Sequence, residues 1–168
     1  MVLTTNHLIH DLNSGIASYF NTGTITDADN QLTSKTGHYN SSTYTLFFKD
    51  SVYLVNPEYT MKSDTLHYNT KSKTAYFQGP TSIVSHQNTI YCKNGWYDTP
   101  HNSSMFSNKA TILTDKKSIA ADSIYYNRNS GHGIAHGNII MHDSIEGIII
   151  NGGFAEYFEL EDRAVVTK

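Results

Sequence analysis

Nine histidines, fifteen carboxylates and one cysteine are the groups in this 168-residue chain best suited to hold a metal, move a proton or attack a carbonyl. His132 and His136 lie four apart and His142 follows. On a strand that spacing puts two side chains on one face about 13 Å apart, too far for one ion to bridge. Asp64 and Asp122 sit at equivalent points of the pattern described below, but Lys35 and Lys93 fill the same point in the alternate copies. That is a solvated face of alternating charge, not a carboxylate pair. No Gly-x-Ser-x-Gly elbow, phosphate-cradling glycine loop or His-Glu-x-x-His stretch occurs. Gly131-His132-Gly133 and Asn151-Gly152-Gly153 read as turn chemistry. Cys92 is alone, so no internal disulfide framework exists. The expectation is a non-enzymatic chain with no catalytic residues, no metal and no cofactor.

The elements that carry these residues follow from composition. Nineteen Thr, seventeen Ser and fifteen Asn stand against nine Leu, nine Ala and five Glu, which favours strands and turns over helices. A net charge of −3 with no Lys/Arg cluster argues against a nucleic-acid partner, which would need a basic face. The longest aliphatic run, Ile148 to Ile150, is far short of the roughly 20 residues a membrane helix needs. The first residues show no basic segment followed by an apolar one, so no signal peptide is visible.

Shifted by 29 residues, the chain falls onto itself. Tyr39, Tyr68, Tyr97 and Tyr126 form one column, each followed by Asn or Asp. Leu32, Met61, Ile90 and Ile119 form a second, two residues before the small Ser34, Ser63, Cys92 and Ala121. Phe47, Tyr76, Met105 and Ile134 form a third, and Leu54, Ile83, Ile112 and Met141 a fourth. Between the last two lie Asp50, Gly79, Asn108 and Gly137, residues that tolerate positive φ and therefore mark a hinge in each unit. The expected units are 32–60, 61–89, 90–118, 119–147 and a partial 148–168. An irregular first copy lies within 1–31, and all belong to one domain over 1–168.

Inside a unit the apolar period is two. Each unit therefore reads as a strand, a turn such as Asn69 to Lys73, and a second strand broken near Gly79-Pro80, giving roughly ten short antiparallel strands. The three apolar columns are expected to share one interior, either as a packed core or as a trough for acyl chains, with the small residues leaving room. The Tyr column is either an aromatic ladder or a platform for sugar rings. Trp96 reads as a half-buried strand residue.

Ala121-Asp122-Ser123-Ile124-Tyr125-Tyr126-Asn127, continuing through Gly133-Ile134-Ala135-His136-Gly137-Asn138-Ile139-Ile140-Met141, resembles the OstA-like repeat. This is the family of the lipopolysaccharide-transport proteins LptA and the N-terminal domain of LptD. The similarity runs through residues 34 to 143 and less cleanly through 151 to 168. It implies an all-β antiparallel β-jelly-roll or open sandwich of about five such repeats. It also implies periplasmic residence after removal of a signal peptide, and a place in a lipopolysaccharide bridge. The lipid A acyl chains would be held by Leu32, Phe47, Leu54, Met61, Tyr76, Ile83, Ile90, Met105, Ile112, Ile119, Ile134 and Met141. The implied partners are lipopolysaccharide or a related glycolipid, and other Lpt-type β-jelly-roll proteins or further copies of this chain, paired head to tail through edge strands. With an acidic protein the lipid A phosphates add no attraction, so affinity rests on burying CH₂ groups at about 0.8 kcal/mol each. The rival readings are a carbohydrate-binding or adhesin-like β-solenoid of parallel strands, and a structural β-domain without a ligand.

Overall fold

The tyrosine-to-asparagine step that recurs along the chain ends one strand and starts a turn, and the structure shows how. Asn69 Oδ1 accepts hydrogen bonds from the backbone N–H groups of Lys71 (3.0 Å) and Ser72 (2.9 Å), and Asn40 does the same for Ser42 and Thr43. Asn127 takes the Ser130 N–H, and Asp11 begins the same turn with the Asn13 N–H. These four Asx turns close on residues of positive φ, Gly15, Tyr44, Lys73 and Gly131, and Asn102 fills the same place in the Asp98 turn, so that the five are spaced by 29. Neighbouring turns are tied by backbone bonds, among them Thr70 N–H to Tyr44 O and Arg128 N–H to Asn102 O.

The computed structural model describes residues 1–27, 29–161 and 163–168. Among them lie fifteen strands: β1 (Val2–Thr5), β2 (Ile9–Asp11), β3 (Ile16–Tyr19), β4 (Gly23–Asp27), β5 (Asn30–Ser34), β6 (Thr36–Asn40), β7 (Thr45–Val55) and β8 (Tyr59–Asn69), then β9 (Thr74–Ser85), β10 (Thr89–Asp98), β11 (Ser103–Leu113), β12 (Lys117–Asn127), β13 (His132–Asp143), β14 (Ile148–Phe158) and β15 (Arg163–Thr167). From β7 onward each strand pairs antiparallel with the next. Every pairing is antiparallel, which excludes the parallel solenoid. The fold is an open, all-β antiparallel sheet.

The sheet forks at β7. Residues Gln31 to Thr33 of β5 pair with one end of β7, and β6 pairs with the other end. The branch β1-β4-β5 continues one limb of the sheet, and β2-β3-β6 continues the other. In the longer strands the two limbs are joined through the hinge column, where Asp50, Gly79, Asn108 and Gly137 all have positive φ, 62°, 82°, 60° and 73°. The register slips there without ending the strand: Lys49 pairs with Thr65 and Val52 with Ser63. Gly79 and Gly137 need their missing side chains as well as their φ. A Cβ on Gly79 would fall 2.5 Å from Asp64 Cβ, and one on Gly137 would collide with the Asp122 carboxylate. The sequence reading of short broken strands is corrected here, because the bulge bends strands of 10 to 12 residues and leaves them continuous.

Candidate functional site

Two inward rows cross the sheet, one on each limb. On the first limb, strand-by-strand register links Leu3, Ile25, Leu32, Leu54, Met61, Ile83, Ile90, Ile112, Ile119, Met141 and Ile150. Two of the columns read from sequence, 32/61/90/119 and 54/83/112/141, interleave to make this row. Leu32 and Met61 are buried at 7% and 5% exposure; Ile83, Ile90, Ile112, Ile119 and Met141 are half-buried against the same core; Ile150 is 40% exposed. The row therefore opens towards the C-terminal end of the sheet.

On the second limb the inward row is Tyr19, Gly37, Phe48, Leu66, Phe77, Gly95, Phe106, Ile124, Ala135, Ala155 and Val166. Phe77 is 1% exposed and stacks on Phe106 at 6.1 Å, and both rows feed one hydrophobic cluster. This row carries large rings at one end and alanines at the other. Between the rows lies a buried seam in which the small Ser34, Ser63, Cys92 and Ala121 interleave with Val52, Thr81, Ala110 and Ile139. Its polar members are satisfied: Tyr19 OH donates to Ser34 Oγ (2.6 Å), whose own proton goes to the Thr36 carbonyl (2.9 Å), and Ser63 Oγ and Thr81 Oγ1 bond at 2.8 Å. Burial pushes the Cys92 thiol up to about 11, so it stays a protonated apolar filler.

The third column read from sequence is not in this interior. Phe47, Tyr76, Met105 and Ile134 each precede or follow an inward residue, and they face outward, with Tyr76 48% exposed. The reason is which strand absorbs the bulge. In β7 the inward residues Phe48 and Val52 keep the same parity across the hinge, while in β8 the inward Ser63 and Leu66 are three apart and change it. A one-residue error in parity puts a whole column on the opposite face. The sequence reading therefore missed Phe48, Phe77, Phe106 and Ala135, although they form their own column of period 29.

The tyrosine column turns inward. Tyr39, Tyr68, Tyr97 and Tyr126 are half-buried at the rim of the second limb, alternating with the smaller Leu46, Ala75, Ser104 and Gly133 on the intervening strands. Tyr59, from the turn end of the first limb, meets them. Burial, then Tyr97, Glu58 and Tyr68, raises its hydroxyl above the ordinary tyrosine value. Arg128 Nη1 lies 3.4 Å from Glu58 Oε2, an exposed clasp between the limbs.

The histidines are dispersed. His132 Nε2 is 3.3 Å from Glu156 Oε1 and stacks on Phe158, while His136 packs on Phe154. Among the described residues no group of three His, Cys, Asp or Glu is placed to hold a metal ion. Asp122 accepts a hydrogen bond from Asn138 Nδ2 (2.9 Å) and Asp64 one from Thr65 Oγ1 (3.0 Å), so each holds its own bulge. No helix is long and apolar enough to cross a membrane among the described residues.

The sequence model of the OstA-like protein family matches residues 1–64 and 62–122 of the chain. The chain belongs to the OstA-like protein family. No curated protein sequence matches it. Among solved structures it is similar to LptH from Pseudomonas aeruginosa, described as the LptA-homologous periplasmic component of the conserved lipopolysaccharide transport device. The TM-score is 0.52 at 9% identity, covering 74% of this chain and 82% of that one. At that identity the likeness speaks for the fold, and family membership rests on the sequence match. The OstA-like sheet described above is forked, continuous and lined on its inner side by two rows of unlike size.

Proposed function

We propose that this OstA-like chain is a non-enzymatic periplasmic carrier that holds the acyl chains of lipopolysaccharide or a related glycolipid between its two limbs. The observation that carries this reading is the run of half-buried side chains along the first-limb row from Ile83 to Met141, ending on exposed Ile150, beside a second row whose rings give way to Ala135 and Ala155. A purely structural core has no reason to leave a line of isoleucines and a methionine half-open along most of the sheet, beside the rings as well as beside the alanines. Family membership and the LptH-like fold support the same reading. Acyl binding needs buried CH₂ contacts at about 0.8 kcal/mol each and no reactive group, which suits a link that must pass its cargo on.

In this reading the ligand-facing set is Leu32, Leu54, Met61, Ile83, Ile90, Ile112, Ile119 and Met141, joined by Ile124 and Ala135 and without the outward-facing Phe47, Tyr76, Met105 and Ile134. The chain acts as one array over 1–168 in units of 29 residues. The edge of β14 over Ile148 to Asn151, which among the described residues pairs with β13 alone, and the edges of β1 and β2 serve as docking strands for neighbouring Lpt-type domains.

Photo-crosslinking tests this. A photoreactive residue at Ile119 or Met141 is expected to label with lipopolysaccharide, and one at Met105 or Ile134 to stay unlabelled. Equal labelling at all four positions, or none at Ile119 and Met141, would overturn the carrier reading.

A further inference from the structure

The column that faces outward is part of a longer stripe. Register across β6 to β13 lines up His38, Phe47, His67, Tyr76, Trp96, Met105, Tyr125 and Ile134 on the outer face of the second limb. Eight strands at about 4.8 Å spacing give it a length of roughly 34 Å. The rings touch in sequence: His38 stacks on Phe47 at 4.7 Å, Phe47 meets His67 edge-on at 4.6 Å, and Trp96 tilts against Tyr125 at 6.3 Å. Burial lowers the pKa of both His38 and His67, and His38 adds to the effect on His67, so the stripe is uncharged at neutral pH.

What flanks the stripe decides its occupant. Two residues away along β8 to β12 the same face carries Asn69, Thr74 and Gln78, Asp98 and Asn94, Ser107, and Asn127 and Ser123, while Thr65 and Ser103 at the equivalent points are buried. Asp98 is the one acid among these and is paired with His101 at 2.7 Å; charge stands only towards the ends of the stripe, Lys49 two residues from Phe47 and Glu156 in register with Ile134 and paired with His132. A second protein sheet laid on this face would strip water from both rows of amides and hydroxyls without replacing those hydrogen bonds. A sugar chain would not: its apolar ring faces stack on the aromatic rings and its hydroxyls meet the amides and hydroxyls directly or through water. An uncharged stripe also matches an uncharged chain better than a phosphorylated or acidic one.

We propose that the outer face of the second limb is a binding platform for a neutral oligosaccharide, centred on Tyr76, Trp96 and Tyr125. It lies on the opposite side of the sheet from the acyl-chain rows and does not depend on the carrier reading.

The sole tryptophan sits in the middle of the platform, so its fluorescence reports occupancy. Titration of the intact protein with maltohexaose, chitohexaose and laminarihexaose, none of which has an acyl chain, is expected to give a saturable shift with at least one of them. Tyr76→Ala should weaken that binding by about 3- to 10-fold and Tyr76→Phe should restore most of it. Tyr91→Ala, an exposed tyrosine off the stripe, should leave it unchanged. Tyr76 is exposed, so thermal melts matching the parent will show that the alanine variant is folded. No shift with any of the three sugars, equal losses in Tyr76→Ala and Tyr91→Ala, or a self-association that Tyr76→Ala abolishes would each overturn the proposal. Lipopolysaccharide crosslinking at Ile119 and Met141 is read separately, so either site can fail alone.

Discussion

The two ends of the inner surface are built on one frame and filled differently. From β3 to β11 the second-limb row carries Tyr19, Phe48, Phe77 and Phe106, with Gly37 and Gly95 lying under their neighbours' rings. From β12 to β15 the same row carries Ile124, Ala135, Ala155 and Val166. The phenylalanine of one repeat has become alanine in the next at an unchanged backbone position. Repetition therefore fixes where a side chain points, while its size is free to vary from copy to copy. One end is filled by rings and the other by smaller side chains, Ala135 and Ala155 at 3% and 5% exposure.

The strongest way to break this comparison is to empty the packed end. Phe77 is 1% exposed, lies against Phe106 and covers Gly95. Phe77→Ala is expected to lower unfolding free energy in urea by about 3–5 kcal/mol. A loss below about 1 kcal/mol would mean that the ring end is as loose as the alanine end.

Glycines sharpen the contrast with smaller changes. A Cβ on Gly95 would run into the Phe77 ring and the Met105 carbonyl, whereas on Gly133 it would meet Tyr126 and Tyr157 at 3.6 Å, ordinary contact. Gly95→Ala should cost roughly 1–3 kcal/mol. Gly133→Ala should stay within about 0.5 kcal/mol of the parent or gain slightly through the unfolded state. The two variants measured side by side in the same urea series check both halves of the claim.

Filling the alanine end, where the proposal places the guest, is the functional counterpart. Ala135→Phe extends the 48/77/106 column by one repeat. If the facing Ile119 and Met141 border usable space, the ring should enter at a cost under about 1 kcal/mol, because overpacking a full core costs about 1–3. It should also reduce lipopolysaccharide crosslinking from Ile119 by about tenfold. A large loss of stability with crosslinking intact would show that the alanine end is already full.

Much of this was legible in the chain. The 29-residue step, the antiparallel hairpins, the positive-φ hinge and the first-limb row from Leu32 to Met141 can be read from Leu32, Met61, Asp50 and Gly79 and their equivalents, but not Leu3, Ile25 or Ile150. What could not be read was the parity across each bulge. A register slip of one residue is shared between two strands, and no local signal in Lys49-Asp50-Ser51 says whether β7 or β8 changes face. The consequence was that Phe47 was assigned inward and Phe48 was missed, although both are bulky and periodic. The opening residues were obscure for a related reason: β5 and β6 are two halves of one long strand separated at Lys35, and a split strand loses the run length that period-two patterning needs.

The smallest expected effect concerns the rim of the alanine end. Tyr126 OH donates to Glu159 Oε2 at 2.5 Å, tying the short 3-10 turn Glu159–Glu161 to β12. Burial first, then the hydrogen bond and charge of Glu159, pushes the Tyr126 hydroxyl up to about 12. Because the folded value lies above the unfolded one near 10, the unfolded chain releases this proton first as pH rises. The stabilisation is thus complete below about pH 10 and disappears as pH climbs through about 12. Tyr126→Phe should therefore flatten the alkaline limb of a melting-temperature profile between those values, with only a small change at pH 7. Tyr59 and Tyr68 are also raised by burial, so some alkaline slope should remain in the variant. An unchanged slope would mean that the Tyr126–Glu159 bond is open in solution and that the turn is held by the Glu159 N–H to Gly131 O bond and the β14–β15 pairing instead.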